Sequence, residues 1–190
     1  MSQYSCLDII KYKAKCMKRA ERELTHTQAL EIIANKSSFS NYHELKTVAK
    51  HTPQDARLLV AAFGETDLSD AIFNCYDSVT DSPYSSFEMA VEDTLSSEIA
   101  STNADGFVVE DFSIAETYYD ETKGILTLDV TFLYQGEQSP DHVYAGSEFS
   151  VEAKIHLSWR NDKWLFSDED FEVTHVQSDT ERDWIDEEDI

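Results

Sequence analysis

The 190-residue chain is poor in glycine, proline and cysteine, with five, three and three residues respectively. No Gly-rich phosphate-binding loop, Walker motif or nucleophile elbow occurs, which excludes the common nucleotide-binding and hydrolase signatures. The cysteines at positions 6, 16 and 75 lack CxxC spacing, so neither a disulfide framework nor a zinc site is predicted. No apolar run approaches the roughly 20 residues that span a bilayer, and the N-terminus lacks a signal peptide's apolar centre. We therefore expect a soluble, cytoplasmic protein without a cofactor.

Basic residues are also scarce, and they are unevenly placed. The chain holds 15 Lys/Arg against 38 Asp/Glu, a formal charge of -23. Residues 1–51 carry nine basic and five acidic residues, whereas residues 52–190 carry six and 33. This division predicts a basic helical module at 1–51, an acidic α+β domain at 52–176 and an acidic tail at 177–190. A body this acidic should repel nucleic acid and membrane surfaces and attract basic proteins.

The basic module has helix signals at three places. Ser5 can cap a helix over residues 5–22, and Thr25 with Gln28 forms a capping box for a second helix. A third helix is expected from about Ser40, so that two short helices are joined by a tight turn, the outline of a helix-turn-helix. In that case nucleic acid would be contacted by the lysines and the arginine of the first and third helices. These residues are Lys11, Lys15, Lys18, Arg22, Lys46 and Lys50.

The segment LTHTQALEIIANKSSFSNYHEL, residues 24–45, resembles a short bacterial helical module of the form LSHSQALELIARALGFRNWHEL. That module is found in plasmid-borne and phage-borne proteins and in proteins named as glyoxalase-superfamily members. The matching positions are Leu24, His26, Gln28, Ala29, Leu30, Ile33, Ala34, Phe39, Asn41, His43, Glu44 and Leu45. Tyr42 stands where the module usually has Trp, and Ser38 stands where it usually has the Gly that supplies positive φ in a turn. The resemblance implies bacterial origin and brings no settled activity.

The next helices are expected from Thr52-Pro53 to Gly64, from about Asp67 to Asp77, and from Ser85 to about Ala100. Beyond residue 106 the apolar period changes to two, which predicts strands. One strand is expected to present Val108, Phe112, Ile114 and Tyr118 on one face, and the next to present Leu126, Leu128, Val130, Phe132 and Tyr134.

The last hairpin is the best-defined part of this sheet. Asn161-Asp162 suits a two-residue turn with positive φ, which sets Trp159 opposite Trp164. Val151, Ala153, Ile155, Leu157 and both Trp rings then share one apolar face, predicted to cover the helix from Ser85 to Ala100. The predicted fold class is α+β: N-terminal helices, then a helix packed on a four-stranded antiparallel meander. Residues 106–176, and WRNDKWLFSDEDFE above all, are similar to NTF2-like or cystatin-like sheets.

Few residues are spaced for catalysis or metal binding. Asp168, Asp170 and Glu172 alternate along a strand, which favours either a hard cation or, as the alternative, a β-bulge over residues 167–170. The six histidines lack HxH or HExxH spacing. An inward-facing acid such as Glu110, Glu116 or Asp129 would act as a base only if the fold enclosed an NTF2-like cavity. These patterns favour a protein that is not an enzyme.

Acidity in a folded chain predicts binding to a basic or nucleic-acid-binding protein, as inhibitors, immunity proteins and DNA mimics do, with solubility as the alternative role. The expected contact residues lie at the acidic interruption of the hairpin and in the tail. They are Asp168, Glu169, Asp170, Asp183, Trp184, Asp186, Glu187 and Glu188. Two other functions stay open: a DNA-binding regulator that uses the helix-turn-helix-like module, and an NTF2-like small-molecule-binding domain or enzyme.

Overall fold

The computed structural model describes residues 4–76, 84–166 and 170–181, with the backbone alone at 74–76 and 84–86. Helices come first and an antiparallel sheet follows, which confirms the predicted α+β class. The helices are α1 (Cys6–Ala20), α2 (His26–Lys36), α3 (Tyr42–His51), α4 (Ala56–Phe63), α5 (Ala71–Tyr76), α6 (Tyr84–Thr94) and α7 (Ser96–Ile99). The strands are β1 (Ala104–Asp120), β2 (Ile125–Gln138), β3 (Glu148–Arg160), β4 (Lys163–Leu165) and β5 (Phe171–Ser178). β4 and β5 both pair with β3, so β1, β2, β3 and this interrupted last strand form the expected meander.

Contacts divide the chain into two compact units. Unit 1 comprises residues 1–75, 119–126 and 158–165, and unit 2 comprises residues 76–118, 127–157 and 166–190. The predicted boundary after residue 51 falls inside unit 1, where α4 packs against α1. The two units differ strongly in their balance of acidic and basic residues. Described residues of unit 2 include seventeen Asp/Glu and one basic residue, Lys154, whereas those of unit 1 include twelve acidic and thirteen basic residues.

The first helices of unit 1 begin where their capping residues predict. The Ser5 side chain accepts a hydrogen bond from Asp8 N–H, and Thr25 with Gln28 forms the complete capping box of α2. α2 ends in a Schellman turn, in which Phe39 N–H donates to Ala34 O at 2.9 Å and Ser38 has φ 63°. Ser38 therefore holds the left-handed conformation that the module's glycine would adopt.

The start of α4 differs from the prediction. Thr52 and Pro53 were expected to open this helix, but α4 begins at Ala56, and the Asp55 side chain caps it by accepting from Arg57 N–H at 2.9 Å. Thr52 is the C-cap of α3, with its N–H donating to Val48 O. Gly64 ends α4 with φ 87°, as predicted.

The core of unit 1 contains a cluster of four aromatic rings. Asn161 and Asp162 form the predicted turn with φ 52° and 66°, and Trp159 pairs with Trp164. The ring of Phe63 on α4 lies 4.9 Å from Trp159, 5.1 Å from Trp164 and 5.2 Å from Tyr119. The Trp159 and Trp164 rings were predicted to cover the helix from Ser85 to Ala100. They pack instead against the ring of Phe63.

In unit 2, β1 departs from its predicted face. Asp111 has φ 50°, which shifts the strand's alternation, so that Phe107 and Val109 before it and Phe112 and Ile114 after it face inward. Val108 and Tyr118, expected on the apolar face, are 45% and 69% exposed. The apolar face of β2 is as predicted, with its five named residues buried.

The pairing along β3 changes register between β4 and β5. Leu165 pairs with Ser158 and Phe171 with Ile155, so three extra residues lie between Leu165 and Phe171. A second irregularity leaves Thr174 unpaired between the partners of Glu152 and Ala153. These insertions let the hairpin keep Trp164 and Phe171 on the buried face.

Helix α6 lies on this sheet in unit 2. The Phe87 ring packs edge-on against Phe112, Phe132 and Phe171 at 5.6 to 5.8 Å. The single helix expected to continue to about Ala100 is divided at Leu95 into α6 and α7. The Ser85 capping box predicted for its start lies among side chains outside the described residues.

Candidate functional site

Unit 2 carries a charged patch on the polar face of its sheet, which we call the outer sheet face. It comprises Glu116, Asp129, Glu152, Lys154 and Glu172. Lys154 and Glu172 are direct cross-strand partners, and Glu152 lies two residues along β3 from Lys154, on the same side. The alternation of β3 creates this face, because Val151, Ala153, Ile155 and Leu157 turn inward.

Three carboxylates of the outer sheet face act on one cation, Lys154. Lys154 Nζ donates to Asp129 Oδ1 at 2.9 Å, and both side chains are about 40% exposed. This hydrogen bond, together with the charges of Asp129, Glu172 and Glu116, raises the pKa of Lys154 above its ordinary value. The patch as a whole holds four carboxylates and one ammonium, a formal net charge of -3.

An exposed aromatic ring borders the patch. Tyr118, 69% exposed, lines a groove of about 230 Å³ together with Glu116, Asp129 and Lys154. A phenol ring beside carboxylates can receive a Lys or Arg side chain by cation–π contact while the carboxylates pair with its charge. The arrangement suits a basic side chain from another molecule.

Most of the predicted partner-binding residues lie outside the described part of the chain. These are Asp168, Glu169, Asp183, Trp184, Asp186, Glu187 and Glu188. Asp170 is described and half-buried, immediately before β5. Partner binding by these residues therefore remains a prediction.

The predicted nucleic-acid contacts separate into two helices of unit 1. Lys15, Lys18 and Arg22 are exposed in or just beyond α1, and Lys11 pairs with Asp8 at 2.8 Å. Lys46 and Lys50 lie on α3, where both line one concave surface. The structure thus brings Lys46 and Lys50 together, one turn apart.

The acids considered for catalysis do not line the buried face. Glu110 and Glu116 are exposed, and Asp129 points to the outer sheet face, where it pairs with Lys154. Asp168 lies outside the described residues, and Asp170 lies immediately before β5, on which Glu172 is exposed, so the cation site and the β-bulge over residues 167–170 both remain predictions. Within residues 4–76, 84–166 and 170–181, no three His, Cys, Asp or Glu side chains are grouped to hold a metal ion.

No match to this chain was found among models of known protein families, among curated proteins or among solved structures. The likenesses of residues 24–45 and 106–176 therefore remain resemblances. In the described residues, no helix has the length and apolar character needed to cross a membrane.

Sequence reasoning missed Tyr118 and the grouping of the outer sheet face. Tyr118 was assigned to the core because its spacing from Phe112 and Ile114 fits period two. The alternation of β3 puts Glu152 and Lys154 on its polar face, but which residues of β1, β2 and β5 lie beside them depends on strand register. The available signal was the polar face of β3, on which Glu148, Glu152 and Lys154 all lie at even positions.

Proposed function

We propose that this chain is a non-enzymatic bacterial protein that binds a basic protein, as an inhibitor, immunity protein or DNA mimic does, through the acidic surface of unit 2. The observation that supports this most directly is the outer sheet face, where Glu116, Asp129 and the exposed Tyr118 line a groove with Lys154, and Glu172 is the cross-strand partner of that lysine. The proposed partner is a protein whose own ligand is a polyanion such as nucleic acid.

The charge distribution supports a role for acidity beyond solubility. A chain that needed acidity only for solubility could carry it anywhere on its surface. Here unit 1 is close to neutral and unit 2 is strongly acidic. A surface of one sign accelerates encounter with an oppositely charged partner and discourages others.

The rigidity of a sheet also supports recognition. Side chains two residues apart on a strand are about 6.6 Å apart, and cross-strand partners are about 5 Å apart. The carboxylates on β2, β3 and β5 are thus held at fixed spacings. Because this surface is already ordered, binding a partner costs it little conformational entropy. The predicted contacts at Asp168, Glu169 and Asp170 and in the tail after residue 182 would extend this surface. We also propose that the chain acts in the cytoplasm, because a reducing compartment keeps thiols such as those of Cys6 and Cys16 free.

The test is capture of partners by the purified chain at low and high salt, followed by competition with duplex DNA. We expect a basic, nucleic-acid-binding protein to be retained near 0.05 M salt, released near 0.5 M, and displaced by DNA, because exposed charges are screened within about a Debye length. The sheet-face variant Glu152→Gln/Glu172→Gln should weaken the complex about tenfold.

The matched control removes two carboxylates from the same unit at a different surface. Glu92 and Asp93 are exposed on α6, so Glu92→Gln/Asp93→Asn changes net charge equally. Its affinity should stay within about threefold of the parent. A chain ending at Glu181 measures the tail separately. Equal weakening by the sheet-face and helix variants, or no salt-sensitive basic partner at all, would rule out recognition by the outer sheet face.

The two alternatives from the sequence remain predictions. DNA binding by residues 1–51 requires a gel shift that the whole chain reproduces. An NTF2-like ligand-binding or catalytic role requires a small molecule bound against the buried face of the sheet.

A further inference from the structure

Helix α3 presents its cationic side chains in one groove of unit 1. His43, Lys46 and Lys50 follow one another at spacings of three and four, which places them on one side of the helix. They line a groove of about 480 Å³ with His51, Thr47, Ala49 and, from α1, Leu7. We call this the α3 groove.

Among the residues that the structure describes, none of the side chains lining the α3 groove is acidic. Glu44, the carboxylate of α3, is engaged elsewhere: Oε2 accepts from Ser40 N–H at 2.7 Å, and Oε1 pairs with Arg57 at 3.3 Å. Within the described residues, neither Lys46 nor Lys50 forms an ion pair. In a chain with 38 acidic residues, the groove therefore keeps two ammonium groups and two imidazoles without a carboxylate among them.

We propose that the α3 groove binds the phosphate group of a small phosphorylated molecule. Two lysines that converge on one concave surface suit a phosphate group, whose oxygens accept charge-assisted hydrogen bonds from ammonium groups. His43 and His51 add ring N–H donors, and Leu7 with Ala49 offers an apolar floor for the rest of the ligand. The volume falls within the range of small-molecule sites, roughly 300 to 1,000 Å³.

The charge of the whole chain favours a small ligand over nucleic acid. Nucleic-acid affinity comes largely from many phosphate contacts, each of which needs a nearby cation. The α3 groove supplies two lysines, and the chain's net charge of -23 repels the remaining phosphates of a long polyanion. A molecule with one or two phosphates meets the local cations and little of that repulsion.

The test is titration of the ¹⁵N-labelled full chain with inorganic pyrophosphate at constant ionic strength, with a short duplex DNA as a second ligand. We expect amide shifts confined to residues 43–51 and to the segment around Leu7. The variant Lys46→Ala/Lys50→Ala should weaken pyrophosphate binding at least about tenfold, since it removes two charge-assisted hydrogen bonds.

The matched control is Lys15→Ala/Lys18→Ala, which removes the same charge from exposed positions on α1 outside the groove. Its affinity should stay within about twofold of the parent, and thermal melts of both variants should match the parent, because all four lysines are solvent-accessible. Absence of shifts in residues 43–51, or an equal loss in both variants, would overturn the proposal. Tighter binding of duplex DNA than of pyrophosphate would overturn it in favour of nucleic acid.

Discussion

Replacement of Phe63 by Ala should be among the most damaging substitutions in unit 1. Phe63 is 6% exposed and lies within 5.2 Å, between ring centroids, of Tyr119, Trp159 and Trp164. It joins α4 to the β3–β4 hairpin. Removing the ring leaves a cavity lined by three aromatic side chains.

The cost of Phe63→Ala follows from the size of the buried ring. A Phe→Ala substitution in a packed core costs about 3 to 5 kcal/mol, and each aromatic pair adds about 0.5 to 1.5 kcal/mol beyond area burial. Because three large rings cannot collapse readily into the space, we expect a value near the upper end, about 4 to 5 kcal/mol. For a chain of this length that lowers the melting temperature by roughly 10 °C or more.

Urea unfolding followed by circular dichroism measures the cost, and Phe73→Ala is the matched control. Phe73 is 59% exposed on α5, so its removal should change the free energy of unfolding by less than about 0.5 kcal/mol. If Phe63→Ala lowers the free energy of unfolding by less than about 1 kcal/mol, or by no more than Phe73→Ala does, the Phe63 ring is not central to the core of unit 1.

Three further predictions concern single side chains. Ser38→Gly should stabilise the chain by about 0.5 to 1 kcal/mol in urea unfolding, because it relieves left-handed strain at φ 63°, whereas Ser40→Gly should not. In a Cys75→Ser background, Cys16 should react with a thiol reagent at pH 8 and Cys6 should not, because burial raises the pKa of the Cys6 thiol to about 12; equal rates would contradict this. Arg57 donates to the Asp55 carboxyl and so lowers its pKa below the ordinary value of 3.8. The charged carboxyl therefore stabilises the folded chain fully above pH 3.8, and this stabilisation is lost as the pH falls through the lower pKa of the folded state. Asp55→Asn keeps a cap but lacks this charge, so its stability should fall less than the parent's over the same acid range; parallel curves would refute it.

Local features were predictable because their causes lie within a few residues. The Asn161-Asp162 turn needs positive φ at two adjacent positions, and the Thr25–Gln28 box joins groups three residues apart. The register change before Phe171 was also foreseen, since Trp164 and Phe171 could share the buried face only with extra residues between them.

Features that depend on distant parts of the chain were not predictable. The partner of the Trp159–Trp164 pair is Phe63, almost 100 residues earlier, and an amphipathic pattern says which face is buried but not what covers it. The shift at Asp111 reverses the alternation of β1 with no glycine to mark it, so Val108, which lies an even number of residues before Phe112, was placed inside.

Each of the two candidate sites was also predictable only in part. The acidity of unit 2 could be read from composition, but the outer sheet face depends on strand register. The α3 groove combines a helical spacing visible in the sequence with Leu7, which comes from a different helix.

The most direct test of the account is the affinity of the captured basic partner for the parent chain and for Glu152→Gln/Glu172→Gln, measured at two salt concentrations with and without duplex DNA. The account predicts a salt-sensitive complex that DNA displaces and that the sheet-face variant weakens about tenfold, with Glu92→Gln/Asp93→Asn close to the parent. A partner that binds equally well to all three chains, or that DNA does not displace, would contradict it.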